Sequence, residues 1–111
     1  MPVMSILNQA KGGLPISASF AAPSDGPATF VLAGSVWCGT ADKMIGVSLE
    51  LDGKIIGTAS IFSNAPSTHR AVVPSYIPVS LTFGEHKLTL IAENANTISD
   101  LNDLYDVILM Y

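Results

Sequence analysis

Five side chains that could bind a cation are concentrated within ten residues near the end of the chain. Asn94, Asn96, Asp100, Asn102 and Asp103 place amide and carboxylate oxygens within this short stretch. Hard cations such as Ca²⁺ take about six to eight oxygen ligands. However, the spacing matches no defined calcium loop, and Asn and Asp also favour loops because they hydrogen-bond their own backbone. We therefore expect ordinary turns, with calcium as the alternative, and we assign no metal ligand and no cofactor.

Catalytic chemistry has little support in the sequence. His69 and His86 are the two histidines, and neither has a metal-ligand spacing to a cysteine or to the other. There is no G-x-S-x-G nucleophile elbow, and no marked pair of carboxylates for glycoside hydrolysis. We expect both histidines to lie at the surface or at strand ends, name no catalytic residue, and predict that the protein is not an enzyme. Only a deep pocket holding a histidine beside a serine or carboxylate would favour a small enzyme.

Two aromatic residues are candidates for sugar recognition, because a flat apolar ring with a polar edge suits stacking against a ligand. Trp37 lies at the end of a predicted strand, where a core or interface position is the favoured interpretation. Tyr76 lies in a segment bracketed by two prolines and is expected to be more exposed. Together with polar groups from the loops at 63–68 and 94–103, these rings form the predicted ligand site.

The composition limits the classes of partner. The 111 residues are 49% hydrophobic and only 13% charged, with a net charge of −4. Five scattered cations form no basic stripe, which argues against nucleic-acid binding, and no apolar run approaches the ~20 residues of a membrane helix. The low charge predicts excess apolar surface, as in an oligomer. The single cysteine allows no internal disulfide, no signal peptide is recognisable in this chain, and the compartment is undetermined.

Short apolar stretches, separated by Gly, Pro, Asn and Asp, predict one all-β domain over 1–111. We expect two packed antiparallel sheets of about eight or nine strands, with jelly-roll or Greek-key topology. Asp-Gly at 52–53 predicts a tight hairpin, and Gly-Glu at 84–85 predicts a second one. Segment 1–13 is expected to be an arm, an edge strand or a short helix. Residues 68–73 are expected to form a full strand.

The final strand, 104–111, is apolar on both faces, with Asp106 as its single charged interruption. A strand on the surface of a sandwich normally alternates apolar and polar residues. Leu104, Ile108 and Met110 would face away from the core, so we predict that they form an oligomer interface.

The pattern resembles the bacterial and phage relatives of the complement globular head and the tumour-necrosis-factor jelly roll. The matching features are the strand at 28–32, the hairpin at 52–53, the stretch at 81–88 and the apolar strand ending at Tyr111. The resemblance covers residues 15–111. It implies a trimer that associates through apolar sandwich faces and binds proteins or glycans at exposed surfaces.

These observations favour a non-catalytic recognition or assembly domain that forms a homo-oligomer, preferably a trimer. The expected partners are further copies of the chain and a glycan or host protein bound at exposed loops, with neither nucleic acid nor membrane. One alternative is a carbohydrate-binding module or lectin, since such sandwiches share much of this pattern. Another is a structural component of a phage or tail-like particle.

Overall fold

The computed structural model describes residues 2–111, which form nine strands and no helix. Met1, the first residue of the predicted 1–13 segment, lies outside the described residues. None of the described chain forms a helix long and apolar enough to cross a membrane. In chain order the strands are β1 (Val3–Lys11), β2 (Ile16–Ala22), β3 (Gly26–Val36), β4 (Lys43–Leu51), β5 (Lys54–Ser63), β6 (Arg70–Ala71), β7 (Ser75–Leu81), β8 (Gly84–Ala92) and β9 (Leu104–Met110).

The strands form two antiparallel sheets, which confirms the predicted jelly-roll sandwich. One sheet has four strands in the order β2-β8-β4-β5. In the other, β9 lies between β1 and β3, and the far edge of β3 is shared by β7 and β6. Strand β3 is long enough for both, because β7 pairs with Gly26–Leu32 and β6 with Ser35 and Val36.

The core between the sheets follows from the period-two alternation of the strands, since successive side chains point to opposite faces. Ile45, Val47 and Leu49 of β4 are fully buried, as are Leu88 and Leu90 of β8. The facing sheet contributes a second set of fully buried side chains, namely Phe30, Leu32, Val36, Tyr105, Val107 and Leu109.

The predicted hairpin at 52–53 is confirmed. Asp52 and Gly53 both have positive φ, at 52° and 87°, between the paired residues Leu51 and Lys54. A two-residue type I′ turn needs positive φ at both central positions, which Asp-Gly provides at low cost. Strands β4 and β5 are therefore joined as the sequence indicates.

The second predicted hairpin is wrong. Strand β7 pairs with β3 in the five-stranded sheet, whereas β8 pairs with β2 and β4 in the other. Residues 82–83 therefore cross between the sheets. The backbone N–H of Phe83 donates to Asp25 Oδ1 at 2.7 Å, which ties this crossing to the β2–β3 turn. Alternation and turn residues mark where strands begin and end, but they do not specify which strand lies alongside.

The helix and free-arm alternatives for the N-terminal segment are also wrong, because Val3–Lys11 is an edge strand paired with β9. Its register shifts twice, between Ser5 and Leu7 and between Leu7 and Ala10. Gln9 has a φ of 50°, in the left-handed region. Such irregularities disrupt the regular pattern of unpaired backbone groups that an edge strand offers to other chains.

The strand predicted over 68–73 is much shorter in the structure, because the chain changes sheets there. Only Arg70 and Ala71 pair with β3. The backbone N–H of Val73 then donates to Ser60 O of β5 at 3.0 Å, in the four-stranded sheet. Residues 70–73 therefore link the two layers beside the end of the sandwich at which β3, β5 and β8 finish.

Candidate functional site

Three loops meet at that end of the sandwich, which we call the loop end. In chain order they are the β3–β4 loop (37–42), the β5–β6 loop (64–69) and the β8–β9 loop (93–103). Trp37 and Ile98 exchange backbone hydrogen bonds of 2.9 and 2.8 Å, which join the first loop to the third. The N–H of Ser67 donates to Cys38 O at 2.7 Å and joins the second loop to the first. Cys38 itself is fully buried, at 0% exposure.

A buried carboxylate organises the loop end. Asp103 has no exposed surface, and its oxygens accept three hydrogen bonds. Ser35 Oγ donates to Oδ1 at 2.8 Å, His69 Nδ1 lies 2.7 Å from the same oxygen, and the N–H of Asp100 donates to Oδ2 at 2.9 Å. A buried charge is costly unless it is paired and hydrogen-bonded. Asp103 therefore fixes strand β3, the β5–β6 loop and its own loop relative to one another.

His69 presents its other ring nitrogen to the surface. Nε2 lies 3.9 Å from Asp100 Oδ2, and the two side chains are 36% and 43% exposed. The hydrogen bond to Asp103 raises the pKa of His69 above its ordinary value of 6.5, although desolvation opposes this shift. The ring packs obliquely against Trp37, with 6.0 Å between the ring centroids. An aromatic ring, an imidazole and a carboxylate thus share one exposed surface.

Apolar side chains border this surface. Trp37 is half-buried, and its indole Nε1 is buried without a hydrogen-bond partner within the described chain. Ile98 and Leu101 of the β8–β9 loop are 37% and 78% exposed. The loop end can therefore offer both a flat apolar contact and hydrogen-bond acceptors, which is the combination found in small-ligand sites.

Three side-chain oxygens of the 94–103 loop accept hydrogen bonds from the loop itself. Asn94 Oδ1 accepts from the N–H of Asn96 and from Thr97 Oγ1, both at 3.0 Å. Asp100 Oδ1 accepts from the N–H of Asn102 at 2.8 Å. Such side-chain-to-backbone bonds are the reason that Asn and Asp favour turns. They support the ordinary-turn interpretation of this loop over the calcium alternative.

One group of possible metal ligands occurs among the described residues. Ligand atoms of His69, Asp100 and Asp103 lie within 4.8 Å of one another. Both oxygens of Asp103 already accept hydrogen bonds from the protein. Oδ1 accepts two of these bonds and Oδ2 accepts one, whereas His69 Nε2 and Asp100 Oδ2 accept none within the described chain. The cluster is therefore tied mainly into the loop scaffold, and we assign no metal to it.

Tyr76 lies elsewhere. It pairs with Val31 on the outer face of the five-stranded sheet, and it is 66% exposed. Val31 is six residues before Trp37 along the chain, or about 20 Å at the rise of an extended strand. The structure therefore brings Trp37, Asp100 and Asp103 together, places Asn94, Asn96 and Asn102 in the same loop end, and leaves Tyr76 apart.

The predicted interface residues lie on that outer face. Leu104 and Met110 are half-buried, and Ile108 is 36% exposed between β1 and β3. A shallow groove of about 390 Å³ runs beside Leu104, between β3, β9 and the 71–74 segment. Its walls are mostly apolar, with Asp106 at one side.

His69 is the functional candidate that the sequence did not indicate. It was expected to be an ordinary strand-end histidine, because its partner Asp103 is 34 residues away. No local spacing can show a contact that depends on where two loops meet. The proximity of a histidine to a polar loop became visible only once the strand order was known.

No family model matches this chain, and no curated protein matches it. Solved structures do match. A β-glucosidase from Paenibacillus barengoltzii matches with a TM-score of 0.61 and 15% identity over 98% of this chain, which spans only 10% of the enzyme. A family 35 carbohydrate binding module from Clostridium thermocellum matches with a TM-score of 0.56 and 14% identity. A CBM35 from Cellvibrio japonicus matches with a TM-score of 0.55 and 16% identity.

This chain matches a small part of the β-glucosidase but most of the length of the two modules. This chain covers 86% of the module from Clostridium thermocellum and 94% of that from Cellvibrio japonicus, using 96% and 99% of its own length. At such low identity the likeness establishes the jelly-roll sandwich and leaves function to the site itself. The suggested kinship with the complement and tumour-necrosis-factor sandwiches stays a prediction, as does the absence of catalysis.

Proposed function

We propose that this domain binds carbohydrate at the loop end. The observation that carries the proposal is the cluster of Trp37, His69 and Asp100, in which two rings and a half-exposed carboxylate share one surface. Sugars offer an apolar face of C–H groups and a rim of hydroxyls, so they suit an aromatic ring flanked by hydrogen-bond acceptors. The similarity to two modules whose names state carbohydrate binding supports the same function.

The buried scaffold favours such a role over catalysis. Asp103 accepts hydrogen bonds from three protein donors and is fully shielded from solvent. Ser35 donates to the same carboxylate rather than to His69, so the three residues do not form the serine–histidine–carboxylate chain that activates a nucleophile. The arrangement positions a binding surface.

A glycan array probed with labelled protein tests the proposal. We expect the wild type to bind a restricted set of glycans, and Trp37→Ala and His69→Ala to lose about tenfold or more in affinity, as removal of central contacts does. Phe83→Ala is the matched control, because Phe83 is an aromatic residue 72% exposed at the opposite end of β8. Tyr76→Ala discriminates between surfaces, and a loss of binding confined to that variant would move the site to the outer sheet face. Failure of the wild type to bind any glycan would contradict the proposal.

Self-association is a second candidate, favoured by the outer face of the five-stranded sheet. Val3, Tyr76 and Ile108 lie on it and are 61%, 66% and 36% exposed, linked across strands through Met110 and Val31. Exposed apolar patches mark interaction sites. Sedimentation at micromolar concentration is expected to show an oligomer, a trimer by the resemblance noted above, and Ile108→Lys is expected to yield monomers. A wild-type monomer would remove this candidate without affecting glycan binding.

A further inference from the structure

The proton content of His69 follows from what surrounds its two ring nitrogens. Asp103 can only accept, so Nδ1 must carry a hydrogen directed at Oδ1, 2.7 Å away. Neutral His69 therefore has its lone pair on Nε2. That nitrogen faces Asp100 Oδ2 at 3.9 Å, which is beyond hydrogen-bond distance. In the neutral state two acceptors thus stand side by side at the surface with no donor between them.

Two adjacent acceptors suit a ligand with two adjacent donors. Neighbouring hydroxyls of a sugar donate at about 2.7–2.8 Å, and one can reach Nε2 while the next reaches Asp100. Protonation of Nε2 changes this geometry, because the imidazolium then attracts the Asp100 carboxylate, which accepts a hydrogen bond from Nε2. One proton therefore stops Nε2 from accepting a hydroxyl of the sugar and engages the Asp100 oxygen that would accept the next one.

We propose that His69 and Asp100 form a proton-operated gate, open to vicinal hydroxyls when His69 is neutral and closed by an ion pair when it is charged. This inference rests on the proposed carbohydrate function and adds its regulation. It predicts stronger glycan binding at higher pH. A pair that merely held the loops together would give binding that does not change with pH in this range.

The charged groups around the ring set the pH of the gate. Asp100 and Asp103 approach from the β8–β9 loop and both favour the imidazolium. The β3–β4 loop contributes the uncharged Trp37. Arg70, next in the chain, directs Nη2 at Asn64 Oδ1, 3.2 Å away. Because the pKa of His69 is raised, chiefly by the hydrogen bond to Asp103, the midpoint of the gate is expected above pH 6.5.

The binding test is the glycan array run at pH 5.5 and pH 8.5. Wild-type binding is expected to be about tenfold weaker at the lower pH, since a lost hydrogen bond with a charged group costs about that factor. His69→Gln cannot titrate and is expected to bind equally at both values. His86→Gln, which changes the histidine far from the loop end, is expected to keep the wild-type pH dependence. Equal wild-type binding at both pH values, or an unchanged pH dependence in His69→Gln, would overturn the gate.

A second measurement separates this inference from the function on which it rests. NMR titration of the His69 ring protons needs no ligand. Asp100→Asn is expected to lower the pKa of His69, since it removes the partner of Nε2, while Asn64→Ala leaves it unchanged. An unaltered pKa in Asp100→Asn rules out the gate even where glycans bind. A lowered pKa combined with an empty glycan array sustains the proton-linked pair and rejects the carbohydrate function.

Discussion

His86 has an acceptor at each ring nitrogen, which distinguishes it from His69. Nδ1 lies 2.6 Å from Asp52 Oδ2, and Nε2 lies 2.7 Å from the backbone carbonyl of Thr82. Both partners are acceptors, so the protonated ring donates a hydrogen bond from each nitrogen. The ring stacks on Phe20, with ring centroids 5.6 Å apart. In its protonated form it therefore joins the β4–β5 turn, the crossing between the sheets and strand β2.

The protein is expected to lose stability as the pH rises past the pKa of His86. The hydrogen bond to Asp52 is the largest cause that raises this pKa above 6.5, followed by the bond to Thr82. A raised folded pKa means that the stabilisation is complete below pH 6.5 and disappears as the pH rises through the raised value. The bond to His86 lowers the pKa of Asp52 below 3.8, so the pair also weakens in strong acid, as the pH falls through that lowered value.

Urea unfolding between pH 5 and pH 9 measures this effect. His86→Asn is expected to cost about 1–3 kcal/mol at pH 5.5, the range for a hydrogen bond to a charged group, and much less at pH 9. His69→Asn is the comparison variant: the pKa of His69 is also raised, but its ring is more exposed and has one bonded acceptor, so a smaller pH-dependent cost is expected. A stability difference between His86→Asn and wild type that stayed constant with pH would show that the ring is not charged.

At the level of elements, the sequence predicts strand faces better than strand partners. The fully buried residues of β4 and β8 alternate along each strand, because alternation follows from the local geometry of an extended chain. The pairing of β7 with β8 was wrong, since a turn between two strands looks alike in sequence whether the chain folds back or crosses to the other sheet. The N-terminal segment stayed open between an arm, an edge strand and a short helix for a related reason: its partner, β9, is at the other end of the chain.

The two faces of β9 provide a test at the level of the strand. Leu109 points into the core with 0% exposure, whereas Ile108 points outward and is 36% exposed. Leu109→Ala is expected to lower the free energy of unfolding by about 3 kcal/mol, and Ile108→Ala by about 1 kcal/mol. Chemical denaturation of dilute protein compares them. Equal losses in the free energy of unfolding would indicate that the outer face is buried in solution. A loss for Ile108→Ala that grows with protein concentration would show that a second copy of the chain buries it.

At the scale of the whole molecule, the candidate site exists only because distant segments converge. Asp103 was singled out as a polar loop residue and Trp37 as an aromatic at a strand end, yet nothing in the sequence linked them to His69. Their meeting requires β3 to finish, and β6 and β9 to begin, at the same end of one sheet. The sequence therefore predicts the ingredients of the site, while the strand order decides which of them are neighbours and leaves Tyr76 outside.

The same long-range topology governs how the chain folds. Only β4 and β5 pair with the next strand in sequence, whereas β1 pairs with β9 across almost the full length of the described chain. Closing long loops costs conformational entropy before any contact repays it, and all-β domains of this kind fold in about milliseconds to seconds. We therefore expect the β4–β5 hairpin to form early and the pairing of β1 with β9 to form late.

Stopped-flow folding of two variants tests this order. Gly53→Ala places a side chain at a φ of 87° in the hairpin turn and is expected to cost about 1 kcal/mol. If the turn is formed in the transition state, nearly all of this cost appears as folding that is about fivefold slower. Leu7→Ala removes a partly buried side chain of β1 that packs on the core, and it is expected to speed unfolding and leave folding almost unchanged. The reverse pattern would place the nucleus at the paired chain ends, because only contacts already present in the transition state can slow its formation.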